Sequence, residues 1–597
     1  MASVTPMVNL DPQTYPIDDG NMGIQNLRDQ VNAIHNLPRT GYPIVLVPGF
    51  SGWGRPLLGT VNYFGGFEDL ALGLSTLGYV VIVVRIGPIS SNRDRACEIH
   101  AQLYNINRNG PGGFDLPGAP ATLIPVDFGL NHPAFNPANP AYPALLNNAQ
   151  TWQAVVYNPP AAAAQLPPIW TWSAANKVHF ICHSQGGTTV RYLIELLRGL
   201  NRDFVSINAG NRQDWVKSVV TLGTPHKGTT VTDVVQNVLL PNLSPLQDFV
   251  TSCSFESRPN RVYDLHLDHW GFSRNPGEFY SQMRARIAGD VTLWWNGGNH
   301  GFEDNSLQGA AALNAYAPSP ATYYFTMSFC ATVLFPNETL TAPEVNGLLA
   351  LLPLVRPFNI GGIFGGISAP ILRTAIRFGA LPRARAVLAW MTNVANNHLG
   401  NLGYFAQIPP PGLQIPRPDV LPLLSFPAYA MGGLDTPPPG ILEMTADQLK
   451  PNDGIVNTIS MDGPVAGPIM DGTDFAAQLQ VAIAAGSLQL VRGRYWHLHS
   501  NSTIDHADQI GVFTNPATDA ERRTIKNQQQ AAARAQQMAQ VQADARVQAR
   551  VQAQVMAQRQ AQAIMQARQV QLLQYQAQQN QMNQVNQMLG LYGPYRL

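Results

Sequence analysis

The chain predicts an α/β fold with a doubly wound, mostly parallel sheet, and three observations point there. From Tyr42 onward, apolar runs alternate with amphipathic stretches: YPIVLVPGF, then FGGFEDLALGLSTLGY, then VVIVVRI, then SSNRDRACEIHAQLY. Strand, helix, strand, helix is the order that builds a parallel sheet wrapped by helices. The later runs KVHFICHS, VKSVVTLGTP and ATYYFTMSF are uninterrupted in their apolar character, as for strands covered on both faces. Finally, 597 residues are enough for one large domain with insertions or for several smaller ones.

Composition narrows the classes further. Lys+Arg and Asp+Glu number 37 each, so the formal net charge is zero, which argues against a polybasic nucleic-acid binder and an acidic disordered chain. The cysteines Cys97, Cys182, Cys253 and Cys330 are too few and scattered for a disulfide scaffold or a zinc ribbon, and reduced thiols are expected. The N-terminal segment MASVTPMVNLDPQTYPIDDG lacks the basic start and the apolar run of roughly 7–15 residues of a secretory signal. Pro353, Arg356, Pro357, Asn359 and Pro370 break the most apolar stretch, Asn346 to Ile376, so it is not read as a membrane span. A cytoplasmic or lipid-droplet location is the resulting expectation.

Pro/Gly/Ala/Asn-rich stretches at Asn109 to Pro168 and Thr341 to Pro439 read as excursions from the sheet, the second long enough for a helical cap. After Pro516 the composition shifts to Gln, Ala, Arg and Met, with almost no Gly or Pro. The expected organisation is a catalytic domain over 1–517, with an apolar cap insertion at about 341–439, and a tail over 518–597. The tail residues favour helix, yet Val541, Val547, Val551, Val555, Ile564 and Leu572 keep heptad spacing poorly. A conditional coiled coil that self-associates and a disordered Gln-rich extension are both open for it.

The strongest local signal is Ile181-Cys182-His183-Ser184-Gln185-Gly186-Gly187, where an apolar strand ends and an amphipathic helix begins. A serine at such a strained turn exposes its hydroxyl, and the Gln185 amide points at a developing oxyanion. Cys182 stands where this elbow usually has its first glycine. A serine hydroxyl needs a histidine to take its proton, and the histidine needs a carboxylate to fix its tautomer. In this fold the order is Ser, then Asp or Glu, then His. Pro451-Asn452-Asp453-Gly454 and Asp505-His506 fit that order, although the first also reads as a turn and His497 or His499 serves as well on residues alone.

Several uncommon strings occur together between about Tyr42 and Gly511: PIVLVPGFSGWG, GPISSNRDRACE, CHSQGG, TLGTPHKGTT, VYDLHLDHWG, SPATYY, NDGIVNTISMDGP and DHADQIGV. With these the chain resembles the large bacterial lipases of the thermoalkaliphilic and staphylococcal group. The resemblance implies an α/β-hydrolase with helical cap and lid insertions, acting on lipid esters. It places the catalytic serine, aspartate and histidine on Ser184, Asp453 and His506, and the oxyanion donors on the Phe50 and Gln185 amides. Pro48 replaces the histidine that usually opens the oxyanion loop, a tolerable change because the donors are backbone groups.

The same resemblance implies a structural zinc on two aspartates and two histidines. Asp94, His132 and Asp268 match three of the four, and the second histidine falls near Ala138, so His100, His266, His269 or a water must complete a tetrahedral site. Asp94 also fits a capping box begun by Ser91. Calcium is not expected, because Asp508 matches one family ligand but Phe513 replaces the other. No organic cofactor and no nucleic acid are expected. The segment VTDVVQNVLLPNLSPLQDFV is a candidate lid that touches a lipid surface. Triacylglycerol hydrolysis is the leading expectation. Esterase, phospholipase or acyltransferase activity is the alternative within the enzyme class, and a non-catalytic lipid-associated scaffold assembled by the tail is the alternative outside it.

Overall fold

The structure is a computed structural model that describes residues 40–104, 113–135, 149–199, 211–236, 242–334, 413–512 and 564–584, apart from short gaps within them. Most of the cap insertion, Ala138, Phe513 and the stretch Asn346 to Ile376 lie outside the described residues. The chain divides into two compact units, Met1–Asn515 and Pro516–Leu597. In the second, residues 564–584 are helical.

The first unit is organised by an eight-stranded sheet. Its strands are β1 (Ile44–Val47), β2 (Val81–Val83), β3 (Val155–Tyr157), β4 (Val178–His183), β5 (Val216–Leu222), β6 (Tyr323–Phe329), β7 (Ile469–Asp471) and β8 (Tyr495–Asn501). The spatial order is β7-β8-β6-β5-β4-β1-β2-β3. Every neighbouring pair is parallel except β2 with β3, which is antiparallel and closes one edge. The five apolar runs read as strands are all strands. Strands β3, β7 and β8 escape a search for apolar runs, because they are short or interrupted by His497, His499 and other polar residues.

The helices that pack around the sheet and its loops include α1 (Leu70–Thr76), α2 (Asn92–Tyr104), α3 (Gln185–Leu197), α4 (Ser244–Ser254), α5 (Tyr280–Asn296), α6 (Gly301–Asn305), α7 (Pro422–Gly432) and α8 (Phe475–Ala484). The central strands β1 and β4 carry fully buried Val45, Val47, Phe180 and Cys182, covered by Val190, Leu193 and Leu197 of α3 and by Ala96, Ile99 and Leu103 of α2. This is why their runs lack alternation: neither face meets water. A separate cluster joins Leu246 and Val250 of α4 to Met283, Ile287, Val291 and Trp294 of α5.

The sheet reverses its winding between β1 and β4, which are adjacent in space but separated in sequence by β2 and β3. Crevices at the carboxyl ends of strands on either side of such a reversal are where open α/β sheets bind ligands. No helix among the described residues is long and apolar enough to cross a membrane. The four cysteines are unpaired.

Because Phe180 is completely buried at the middle of β4, Phe180→Ala is expected to destabilise the first unit by about 3–5 kcal/mol, visible as a lower midpoint in denaturant titration with the slope unchanged.

Candidate active site and buried metal-ligand cluster

At the carboxyl end of β4 the chain turns through Ser184 into α3. Ser184 has φ 54° and ψ −131°, a conformation that L-residues seldom adopt. The turn is held by main-chain bonds: Ser184 N–H donates to Leu222 O at 2.9 Å, and Thr224 Oγ1 donates to Ser184 O at 2.8 Å. Gly186 is obligatory, since a Cβ there would lie 2.6 Å from Val47 O. Cys182, fully buried, packs in the core beneath the elbow.

Asp453 and His506 meet beside this turn. Asp453 is completely buried and accepts four N–H groups. Its Oδ1 takes Ile455 N–H at 3.0 Å and Val456 N–H at 2.8 Å, while Oδ2 takes His506 Nδ1–H at 2.7 Å and Gln509 Nε2–H at 2.6 Å. Donation from Nδ1 leaves the lone pair of the neutral imidazole on Nε2, the form a general base needs. His506 N–H also donates to Asp453 O at 3.0 Å. The rings of His506 and His183 are 4.5 Å apart between centroids, which brings His506 to the residue preceding Ser184. Ser184 and His506 are not hydrogen-bonded to each other, and such catalytic bonds commonly tighten only with substrate. His497 and His499, open alternatives on residues alone, lie in β8, where His497 contacts Thr326 Oγ1 and Ser500 Oγ.

The loop leaving β1 is packed hard against the elbow. A Cβ at Gly49 would lie 2.5 Å from Ser184 Cβ. Arg95, completely buried in α2, orients this loop: its guanidinium donates to Pro48 O, to Gly49 O at 3.2 Å and to Gly87 O at 2.8 Å. In a trans peptide the N–H lies opposite the carbonyl. Turning Gly49 C=O toward Arg95 therefore turns Phe50 N–H away from it. Among the described residues neither Phe50 N–H nor Gln185 N–H has an internal acceptor. The Phe50 ring meets Phe302 of α6 edge-on at 4.6 Å, and a Cβ at Gly301 would lie 2.8 Å from Gln185 Oε1, so α6 roofs this corner. Ser184 is only 3% exposed.

One residue earlier in α2, the carboxylate of Asp94 faces two imidazoles. His132 Nε2 is 2.8 Å from Oδ1 and His269 Nε2 is 3.2 Å from Oδ2, with Asn299 Nδ2 3.1 Å from the same oxygen. Asp94, His132 and His269 present ligand atoms within 4.8 Å of one another, all buried. Burial works to raise the Asp94 pKa, but the two imidazoles prevail and hold it well below the carboxylate range.

The cluster differs from the expected set at Asp268 and includes His269, one of the substitutes left open by the sequence. Asp268 stands outside the cluster because two guanidiniums claim it, Arg261 at 2.8 Å and Arg258 at 3.3 Å. The short turn Asp268–Trp270 points its second residue inward instead. Of the other candidates, His266 is paired with Glu98 at 2.9 Å, and His100 packs against Tyr104 and Trp172, where burial lowers its pKa to about 3.

Known proteins resemble this chain to differing extents. A family model described as "Lipase-like, C-terminal domain" matches residues 168–352. Lipase 1 of Staphylococcus aureus is 29% identical over 335 residues, spanning 54% of this chain and 42% of the relative. The lipase of Staphylococcus epidermidis is 28% identical over 336 residues, with the same two coverages.

The chain is homologous to the staphylococcal lipases.

The matched part spans less than half the length of these relatives. Among solved structures, EstA from Clostridium botulinum aligns with TM-score 0.47 and 22% identity, covering 85% of this chain and 96% of that one. Lipase 1 from Pelosinus fermentans aligns with TM-score 0.45 and 25% identity, covering 82% and 98%.

Sequence reasoning missed Arg95, Gln509, Tyr63 and Asn299, and named His269 only as one of several substitutes for the missing ligand. Arg95 sits inside GPISSNRDRACE and Gln509 inside DHADQIGV. For Arg95 the sequence carried no separate signal, because this string reads as an ordinary amphipathic helix.

Because Gly49 has no room for a side chain against Ser184, Gly49→Ala is expected to lower kcat/KM on a soluble ester by about a hundredfold, as a misplacement near 1 Å does. Near-wild-type turnover would show that the loop tolerates displacement.

Proposed function

We propose that this protein is a serine hydrolase that cleaves carboxylic esters through an acyl-enzyme, with a triacylglycerol as the favoured substrate at a lipid-water interface. The observation that carries the reading is the Asp453 Oδ2 to His506 Nδ1–H bond, 2.7 Å long and buried, beside a serine on a strained strand-to-helix turn. Ser184 Oγ attacks the ester carbonyl while His506 Nε2 takes its proton. The amides of Phe50 and Gln185 receive the negative oxygen of the tetrahedral intermediate. Collapse expels the alcohol, which leaves with the proton from His506. Water, deprotonated by the same nitrogen, then releases the carboxylic acid and frees Ser184. Asp453 holds the ring through Nδ1 and stabilises the imidazolium.

A nearly inaccessible Ser184 requires a cover that moves. The segment Val231 to Val250 is the proposed lid, with Phe249 an exposed apolar side chain of it that would meet lipid. Residues 341–439 supply the proposed cap. The helical tail offers Ile564, Met565, Leu572 and Leu573 to water and is the proposed self-association element.

Asp94, His132 and His269 are the proposed holders of a structural zinc. One carboxylate and two imidazoles suit that ion, which would lock the loops carrying the two histidines onto α2. The chemistry proposed at Ser184 needs neither this ion nor an organic cofactor. A metal-free cluster is the competing state, favoured by Ala134 N–H donating to His132 Nδ1 at 3.1 Å, which puts that ring's proton on Nε2 facing Asp94.

Wild type is expected to hydrolyse a short-chain ester and emulsified long-chain triacylglycerol, and Ser184→Ala to lose both by orders of magnitude. Turnover of the short ester alone would move the reading to an esterase, and of neither to the scaffold. Elemental analysis of purified protein should find about one zinc per chain, lost in His269→Ala and kept in Asp268→Asn. Zinc absent from wild type would assign the metal-free cluster.

A further inference from the structure

Two residues outside the proposed triad tie its parts together. Tyr63 lies in the loop between β1 and α1, and His183 is the last residue of β4. Gly49 N–H donates to Tyr63 Oη at 2.8 Å, Tyr63 Oη is 2.7 Å from His183 Nδ1, and His183 Nε2 is 3.1 Å from His506 O. All four residues are buried or nearly so. For a neutral His183 ring the direction of each bond follows. A backbone carbonyl only accepts, so His183 Nε2 carries the ring proton. The neutral ring then offers a lone pair at Nδ1, the Tyr63 hydroxyl donates to it, and the phenolic oxygen is left to accept Gly49 N–H.

We propose that Tyr63 and His183 are positioning residues whose one-way hydrogen-bond chain fixes the oxyanion loop and the main chain of His506 in a single frame. The proposal rests on the triad reading and assigns it two further members. Gly49 is the residue before the oxyanion donor Phe50. His506 is held at both main-chain groups, its N–H by Asp453 O and its C=O by His183. The chain also keeps His183 uncharged, since a proton on Nδ1 would leave the buried Tyr63 hydroxyl without an acceptor. Burial, then the neighbouring His506, push the His183 pKa in the same direction, well down. That matters because His506 becomes a cation in each half-reaction, and a second cation 4.5 Å away between ring centroids would oppose it.

The test uses the full chain and a soluble short-chain ester, with kcat and KM measured separately alongside the thermal midpoint. Tyr63→Phe keeps the edge-on ring contacts with Trp53 and Phe64 and removes only the hydroxyl. His183→Leu removes both ring nitrogens, whereas His183→Gln restores one acceptor and one donor. Tyr63→Phe and His183→Leu are expected to lower kcat about 10- to 100-fold, with KM within about twofold. His183→Gln should recover most of that loss, and the double variant Tyr63→Phe/His183→Leu should lose no more than the worse single, because one chain cannot be cut twice. The proposal is overturned if Tyr63→Phe keeps kcat within about twofold of wild type, or if His183→Gln is as slow as His183→Leu. Wild type without Ser184-dependent turnover would instead overturn the triad reading beneath it.

Discussion

The backbone of Ser184 is the constraint on which the rest of this site depends. A non-glycine residue at φ 54° persists only where its surroundings leave no alternative. Here the surroundings are the parallel register of β1, β4 and β5, the Ser184 N–H bond to Leu222 O, and two close approaches that exclude side chains at Gly49 and Gly186. The same contacts that force the turn also bring the loop after β1 over the serine. The elbow and the proposed oxyanion donors are therefore one packing solution.

Helix α2 is the second organiser, and an unusual one, because its charged residues are buried. Asp94 faces His132 and His269; Arg95 gathers the carbonyls of Pro48, Gly49 and Gly87; Glu98 accepts from Gly87 N–H and Thr151 and pairs with His266. Burying such groups is costly unless every one is met by a partner, and here each is. Three charges on two turns of one helix thus join the loop after β1, the loop after β2, and the segment carrying His266 and His269. The string SSNRDRACE reads as an amphipathic helix in isolation, and only the fold reveals that it has no solvent face.

Much of this was legible in the sequence. β1, β4, β5 and β6 are apolar runs because both faces of the sheet are covered, and the strand-to-helix change at Ser184 follows from a switch of hydrophobic period. Asp453 and His506 were legible as an order and a resemblance, and their pairing depends on Gly454 at φ 102° and the turn that delivers two amides to the carboxylate. What sequence could not give was competition among partners. Asp268 has the right chemistry for a metal, but Arg258 and Arg261 pair with it, and the adjacent His269 takes the inward position. Motif spacing left His269 as one substitute among several, because it does not decide between adjacent residues of a short turn. The α4–α5 pair was partly missed for a related reason: α5 is polar on most of its surface and buries only Met283, Ile287, Val291 and Trp294.

The central claim, that Ser184 is a nucleophile activated by a buried His506–Asp453 pair, is tested most directly by covalent trapping. Intact-mass and peptide-mapping spectra should be recorded after incubation with a small fluorophosphonate. The account predicts one adduct per chain, on the peptide containing Ser184, formed orders of magnitude more slowly in His506→Ala and Asp453→Ala. Labelling that occurs elsewhere, or at Ser184 with equal speed in all three proteins, would contradict it.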